Sequence, residues 1–232
     1  MKVAIMQPYF LPYIGYFQLI RAADVFVVYD NIKFTKRGWI NRNRYLLNGR
    51  DELFSLPLEK ASDALDVRDR CLAPVFDRIK FLNRFSEAYR AAPYFNDVMP
   101  LLRRIVGFGD FNLFNFIHAS LREICGHLSI GTPLIVSSAL DVNHDLKGQD
   151  RVLAICRHLG ADTYINASGG RDLYSKEIFN AEGMELKFLR SHPCEYPQFH
   201  LPFVPSLSIL DVMMFNSLTS ISDDFLFRCE LV

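Results

Sequence analysis

The chain has 232 residues, 50% of them apolar and 22% charged, a composition that suits a packed globular protein and excludes disordered, collagen-like and coiled-coil chains. Lysine plus arginine balance aspartate plus glutamate at 26 each, so no global field recruits DNA or an anionic membrane, and any anion site must be local. Five cysteines without a C-x-x-C spacing suggest neither a disulfide framework nor a zinc ribbon; reduced thiols are expected, and no metal site is indicated.

Residues 2–6 (KVAIM) predict a buried strand, followed by a proline-containing turn and a helix over 14–22. Gln7, Pro8, Pro12, Gly15 and Gln18 interrupt this opening run and no small-residue cleavage site follows, so it reads as part of the fold and not as a secretory leader. Residues 24–29 (DVFVVY) predict a second strand, and a right-handed crossover sets the two parallel. The basic, Asn-rich stretch 31–58 breaks the rhythm, with Asn48-Gly49 between strand-like runs signalling a hairpin. From 68 to 129 the pattern is helical, with breaks expected near Pro93, Pro100 and 107–109.

The alternation then resumes, with strands at 134–138, 162–166 and 184–189, helices at 150–159 and 173–182, and a closing helix at 206–216. The expected fold is therefore a single three-layer, doubly wound α/β domain over 1–232 with a mostly parallel sheet, a basic hairpin insertion (31–58) and a helical insertion (68–129). In such sheets ligands bind beyond the carboxyl ends of the strands, where the loops 7–12, 30–39 and 166–171 fall. No stretch is long enough and free enough of charge to span a membrane, and the expected location is the cytoplasm.

Five constellations carry chemistry. The first, Gln7 to Tyr16, joins strand to helix; two prolines stiffen it, Gly15 permits close approach, and the helix start offers free N–H groups to an anion. Its placement resembles the H-x-G-H signature of nucleotidylyltransferases and class I synthetases, with Tyr13 and Tyr16 where histidines would stand, which suggests a fold of that HUP-like kind. Tyrosine cannot reproduce a cationic imidazole, and the same rings could simply pack the helix start. The second holds Lys33, Lys36, Arg37, Arg42 and Arg44 with Trp39, Asn41 and Asn43 among them, where cations suit a phosphate and the chain's single Trp suits a base or sugar ring; a solvated basic hairpin is the alternative.

The third, Ser168-Gly169-Gly170-Arg171, fits an anion nest before a helix, although a plain turn uses the same residues. The fourth is Lys147-Gly148-Gln149-Asp150-Arg151, which opens a helix with His144 just ahead; Lys147 suits a phosphate, and Asp150 equally suits the helix dipole as a plain first-turn charge. The fifth, over 192–211, offers His192, His200 and Asp211 as bases, each equally readable as a loop histidine or a helix-start charge. Walker A, G-x-G-x-x-G, H-E-x-x-H and Ser/His/Asp patterns are absent.

The opening M-Q-P-Y-F-L-P-Y-I-G-Y-F, the segment R-G-W-I-N-R-N at 37–43, the segment 164–174 and the ending F-V-P-S-L-S-I-L-D-V-M-M-F-N resemble the WbqC-like family across nearly the whole chain. The resemblance implies bacterial surface-polysaccharide biosynthesis and work on a nucleotide-linked amino sugar destined for O-antigen, in lipopolysaccharide, or a related glycan. It marks Gln7, Pro8, Tyr9, Tyr13, Gly15, Tyr16, Lys36, Trp39, Asn41, Arg42, Gly170, Arg171, Tyr174, Ser208 and Asp211 as site residues. The leading expectation is a transferase forming an amide on the sugar's amino group, with a thioester, acyl-carrier protein or aminoacyl-tRNA as donor. The alternatives are a nucleotidylyltransferase-like or adenylate-forming enzyme using ATP and Mg²⁺, and a non-catalytic partner of glycan-synthesis enzymes. Surface aromatics are candidate homodimer contacts.

Overall fold

A computed structural model describes residues 1–62, 64–199 and 202–232. The five strands expected from the α/β alternation all form: β1 (Lys2–Met6), β2 (Val25–Val28), β5 (Leu134–Val136), β6 (Thr163–Ala167) and β7 (Glu185–Ser191). They are mutually parallel in the order β5-β2-β1-β6-β7, and β8 (Cys229–Leu231) closes the β7 edge antiparallel, pairing Leu231 with Leu189. Residues this few and this close to the chain end leave no periodic trace, which is why the sequence reading has no strand there. The same holds for α8 (Leu218–Asp223).

Strand side chains alternate between two cores, because successive residues point to opposite faces. Val3 and Ile5 join Val27, Tyr164, Leu186 and Phe188 under α5 (Gly148–Leu159) and α6 (Lys176–Ala181). Ala4, Phe26, Val28, Ile165 and Leu189 face a larger core that holds α1 (Ile14–Ala22), α7 (Ile209–Phe215) and the helical insertion. Helices thus cover both faces of a mostly parallel sheet. Counted in chain order, the parallel strands run 3-2-1-4-5, and the direction of winding reverses between β1 and β6, the place where open α/β sheets leave a crevice.

The hairpin forms as β3 (Arg42–Leu47) and β4 (Arg50–Ser55), a separate two-stranded sheet. Asn48 (φ 50°) and Gly49 (φ 74°) supply the two left-handed residues its tight turn requires. The insertion folds as α2 (Arg78–Tyr89), α3 (Phe95–Gly107) and α4 (Leu113–His127). Pro100 lies inside α3, where a break was expected. The proline is exposed and removes one backbone bond, while Val98, Met99, Leu101, Leu102, Ile105 and Val106 bury the opposite stripe and hold the helix together. α6 and α7 begin later than expected, at Lys176 and Ile209, where the side chains of Ser175 and Ser208 cap the first turns.

Candidate functional site

The loop after β1 is held in a costly shape. Leu11 is fully buried with φ 47°, a region that a leucine adopts only under constraint. Its carbonyl accepts from Asn43 Nδ2 (2.8 Å) and from Ser208 Oγ (2.8 Å), so the hairpin and α7 clamp it from two sides. Phe10 N–H donates to the Ile40 carbonyl at 2.9 Å and Ile209 N–H to the Pro12 carbonyl at 2.8 Å. Two segments distant in sequence, 40–43 and 208–209, are thereby fixed around residues 9–13. Ser208, a proposed ligand contact, is buried and serves as a brace and as the α7 cap.

Two tyrosines of this loop face different ways. Tyr16 is buried and donates its hydroxyl to the Gln7 carbonyl at 2.9 Å; burial drives its pKa well above the ordinary tyrosine value. Tyr13 is 39% exposed and lies flat on the helix start, so near Gly15 that an added Cβ would sit 2.3 Å from its ring. Gly15 therefore admits a close approach by the chain's own Tyr13.

Tyr9, Pro12, Tyr13, Trp39, Asn43, Arg44 and Ser206 line a cavity of about 310 Å³. Trp39 is 40% exposed, and the guanidinium carbons of Arg42 and Arg44 lie 5.7 and 5.6 Å from its ring centroid. Alternation along β3 explains this placement: Asn43 and Tyr45 turn to the core while Arg42 and Arg44 share the face beside Trp39. Arg42 is fixed by donating to the carbonyls of Gly38 (2.8 Å) and Arg37. Arg44 pairs with Asp51 at 3.0 Å and reaches the Ser206 carbonyl at 3.4 Å. Asn41 donates to the Leu56 carbonyl at 2.8 Å and stabilises the hairpin base, and Lys36 is exposed on the same insertion.

A second cavity of about 510 Å³ adjoins the first through Tyr13 and Ser206, and its walls include His192, Glu195 and Tyr196. His192 is exposed, its N–H donating to the Arg228 carbonyl at 2.8 Å. His200 lies outside the described residues. Asp211 is fully buried: Oδ1 accepts from Tyr89 (2.9 Å), and Oδ2 from Tyr196 (2.7 Å) and Gln198 (2.6 Å). Desolvation raises its pKa, with those three hydrogen bonds opposing. With both oxygens engaged and no exposed surface, it ties α2 and the 192–207 loop to α7, where a solvent-facing base was expected.

The remaining predicted residues lie apart from these walls. Ser168–Leu173 form a 3-10 helix in which neither Gly169 nor Gly170 has positive φ, so the alternating-handed nest expected there does not form. A Cβ on Gly170 would meet Asn166 Nδ2 at 2.5 Å, which gives that glycine a packing reason. Arg171 lies over the Phe188 ring at 5.5 Å, and the Tyr174 hydroxyl is 3.4 Å from that of Tyr164. Lys147 is exposed at the start of α5. Arg44 and Asn43, from the basic stretch around Trp39, and Glu195, from the 192–211 run, line the cavities as well; Ser206 lines both of them and was not singled out from the sequence.

The strand-end placement, the clamped loop and the paired cavities define a mostly parallel α/β protein with a preformed, aromatic and arginine-lined cleft. The chain belongs to the WbqC-like protein family, which it matches over residues 7–223. It is 28% identical over 218 residues, 93% of each chain, to a Mycobacterium tuberculosis (strain ATCC 25618 / H37Rv) protein named "Uncharacterized protein Rv1507c". No solved structure matches it. Among the described residues no group of His, Cys, Asp and Glu could hold a metal ion, and no helix is long and apolar enough to cross a membrane.

Proposed function

We propose that the protein is a transferase that binds a nucleotide-linked amino sugar in the Trp39 cavity and forms an amide on its amino group from an activated acyl or aminoacyl donor. The observation that carries this reading is the half-exposed Trp39 flanked by two guanidinium groups, in a cavity continuous with one bearing an exposed histidine and an exposed carboxylate. An aromatic face suits a base or sugar ring and the flanking cations suit its phosphates. The surface-polysaccharide role implied by the family resemblance supplies the substrate class.

In the proposed step His192 takes a proton from the sugar ammonium. The freed lone pair forms a C–N bond at the donor's acyl carbon, and the bond to the donor's sulfur or oxygen breaks, its electron pair leaving with the thiolate or alkoxide; the nitrogen then loses a second proton, which the leaving group takes up, while His192 releases the first to solvent. Glu195, across the same cavity, suits orientation of the imidazole. The buried hydroxyl of Tyr16, committed to Gln7, counts against the adenylate-forming alternative, which needs polar groups free at the helix start.

Mass spectrometry of UDP- and dTDP-linked amino sugars incubated with the protein and a thioester or aminoacyl-tRNA donor tests the reading. The expected product is the sugar plus one acyl group, its formation weakened by Trp39→Ala through a raised KM and slowed by His192→Ala. Pyrophosphate release from ATP without acylation would transfer the assignment to the adenylate-forming reading.

A further inference from the structure

We propose that the N-terminal end of α5 carries a second anion site, built on the buried guanidinium of Arg151 and suited to a phosphoryl group. None of its residues lines either cavity of the cleft, so it stands independently of the transferase reading.

Arg151 is 8% exposed, yet among the described residues no carboxylate lies within ion-pair distance of it. The nearby buried carboxylate, Asp30, is committed to the backbone N–H (2.9 Å) and hydroxyl of Ser138. The Arg151 guanidinium carbon lies over the Tyr29 ring at 5.2 Å, and its Nη1 donates to the Asn31 carbonyl at 3.0 Å. Its Nε and the Oδ1 of Asn31, itself 6% exposed, are buried without any partner. A guanidinium taken out of water, bonded to no carboxylate and left with an idle donor, is an unfavourable arrangement unless an anion completes it.

The surroundings supply the rest of a phosphate cradle. Arg151 stands in the first turn of a helix of 12 residues whose N-cap, Lys147, makes no side-chain capping bond. Side chains in a helix slant towards its N-terminus, which brings the guanidinium back beside the free N–H groups of that turn. Lys147 is exposed at the rim and adds a second cation; Asp150 is also exposed and makes no ion pair with Arg151.

His144 marks where the anion would sit. Its Nε2 lies 3.0 Å from the Leu140 carbonyl, an acceptor, so Nδ1 is the ring's acceptor, and it faces Arg151 Nη2 at 3.4 Å and Asn31 Nδ2 at 3.1 Å. One nitrogen of the exposed His144 side chain thus meets two donors that a phosphoryl oxygen would satisfy better, since charge-assisted bonds are the stronger. Displacement of His144 by the ligand leaves only an exposed loop side chain to rearrange.

Isothermal titration of the full chain with inorganic phosphate and with pyrophosphate tests the site. Wild type is expected to bind, and Arg151→Gln to bind roughly tenfold or more weakly, the scale of one lost charge-assisted bond. Trp39→Ala is expected to bind phosphate as wild type does, which separates this site from the cleft. Asn31→Asp gives Arg151 an internal counterion and is expected to raise the melting temperature while abolishing the phosphate response. His144→Ala is expected to retain binding. Absence of phosphate binding by wild type, undiminished binding by Asn31→Asp or Arg151→Gln, or loss of binding in His144→Ala would overturn the proposal.

Discussion

Asp211→Asn separates a structural hub from a catalytic base. Three donors converge on the carboxylate, one on Oδ1 and two on Oδ2. Asparagine keeps one oxygen, which can hold the Tyr196 and Gln198 pair, and turns its amide NH₂ towards Tyr89. The Tyr89 oxygen already accepts from the Leu46 N–H at 2.9 Å, so its hydroxyl proton is left without an acceptor inside the core. One lost hydrogen bond to a charged group costs about 2 kcal/mol. In a chain of 232 residues that corresponds to a fall of about 4–8 °C in Tm, read by calorimetry at neutral pH. Acid adds an independent sign. Burial raises the folded carboxyl above its ordinary 3.8, so between that value and its folded pKa the native state holds a proton that the unfolded chain has released. The wild-type contribution is then full below 3.8 and declines as pH rises through the folded pKa, so the Asn penalty is largest in acid and settles to its neutral value above. A Tm within about 1 °C of wild type, or a penalty that grows as pH rises from 4, would refute the hub.

The same network gives a second expectation. Tyr89→Phe removes both the acceptor for Leu46 N–H and a donor to Asp211, and is expected to cost about 1–3 kcal/mol in urea unfolding, with the m-value unchanged. Gly15→Ala should behave oppositely: the atoms nearest the new methyl belong to the movable Tyr13 side chain, and alanine favours the helix by about 0.5–1 kcal/mol, so Tm should hold or rise. Displacing Tyr13 from the cavity wall should nonetheless weaken nucleotide-sugar binding about fivefold or more, the value of one aromatic stacking surface, as read by titration. Unchanged affinity there would remove Tyr13 from the site.

The fold was legible wherever the apolar pattern was long or flanked by strong punctuation. KVAIM, DVFVVY and the three later strands lie within two or three residues of their expected bounds at each end, because a strand buried on both faces reads as an apolar run. Asn48-Gly49 gave the hairpin, since few other pairs tolerate two positive φ values. Pro100 misled because propensity counts the lost N–H and cannot see the buried stripe that outweighs it. At the site, sequence could place Trp39 among basic residues but could not tell which polar groups face inwards. Asp211, Ser208 and Tyr16 are spent on partners 9 to 197 positions away, contacts that no local pattern records. Sequence placed Arg151 at a helix start beside Lys147, but its burial away from carboxylates is a property of the folded surroundings.

The central claim is that the Trp39 cavity holds a nucleotide-linked amino sugar, and isothermal titration of wild type and Trp39→Ala with UDP- and dTDP-linked amino sugars tests it most directly. Wild type is expected to bind selectively, with binding weakened about 5- to 150-fold in the variant, the roughly 1–3 kcal/mol of a stacked base, at nearly unchanged Tm because Trp39 is 40% exposed. No binding by wild type, or binding indifferent to the loss of Trp39, would contradict it.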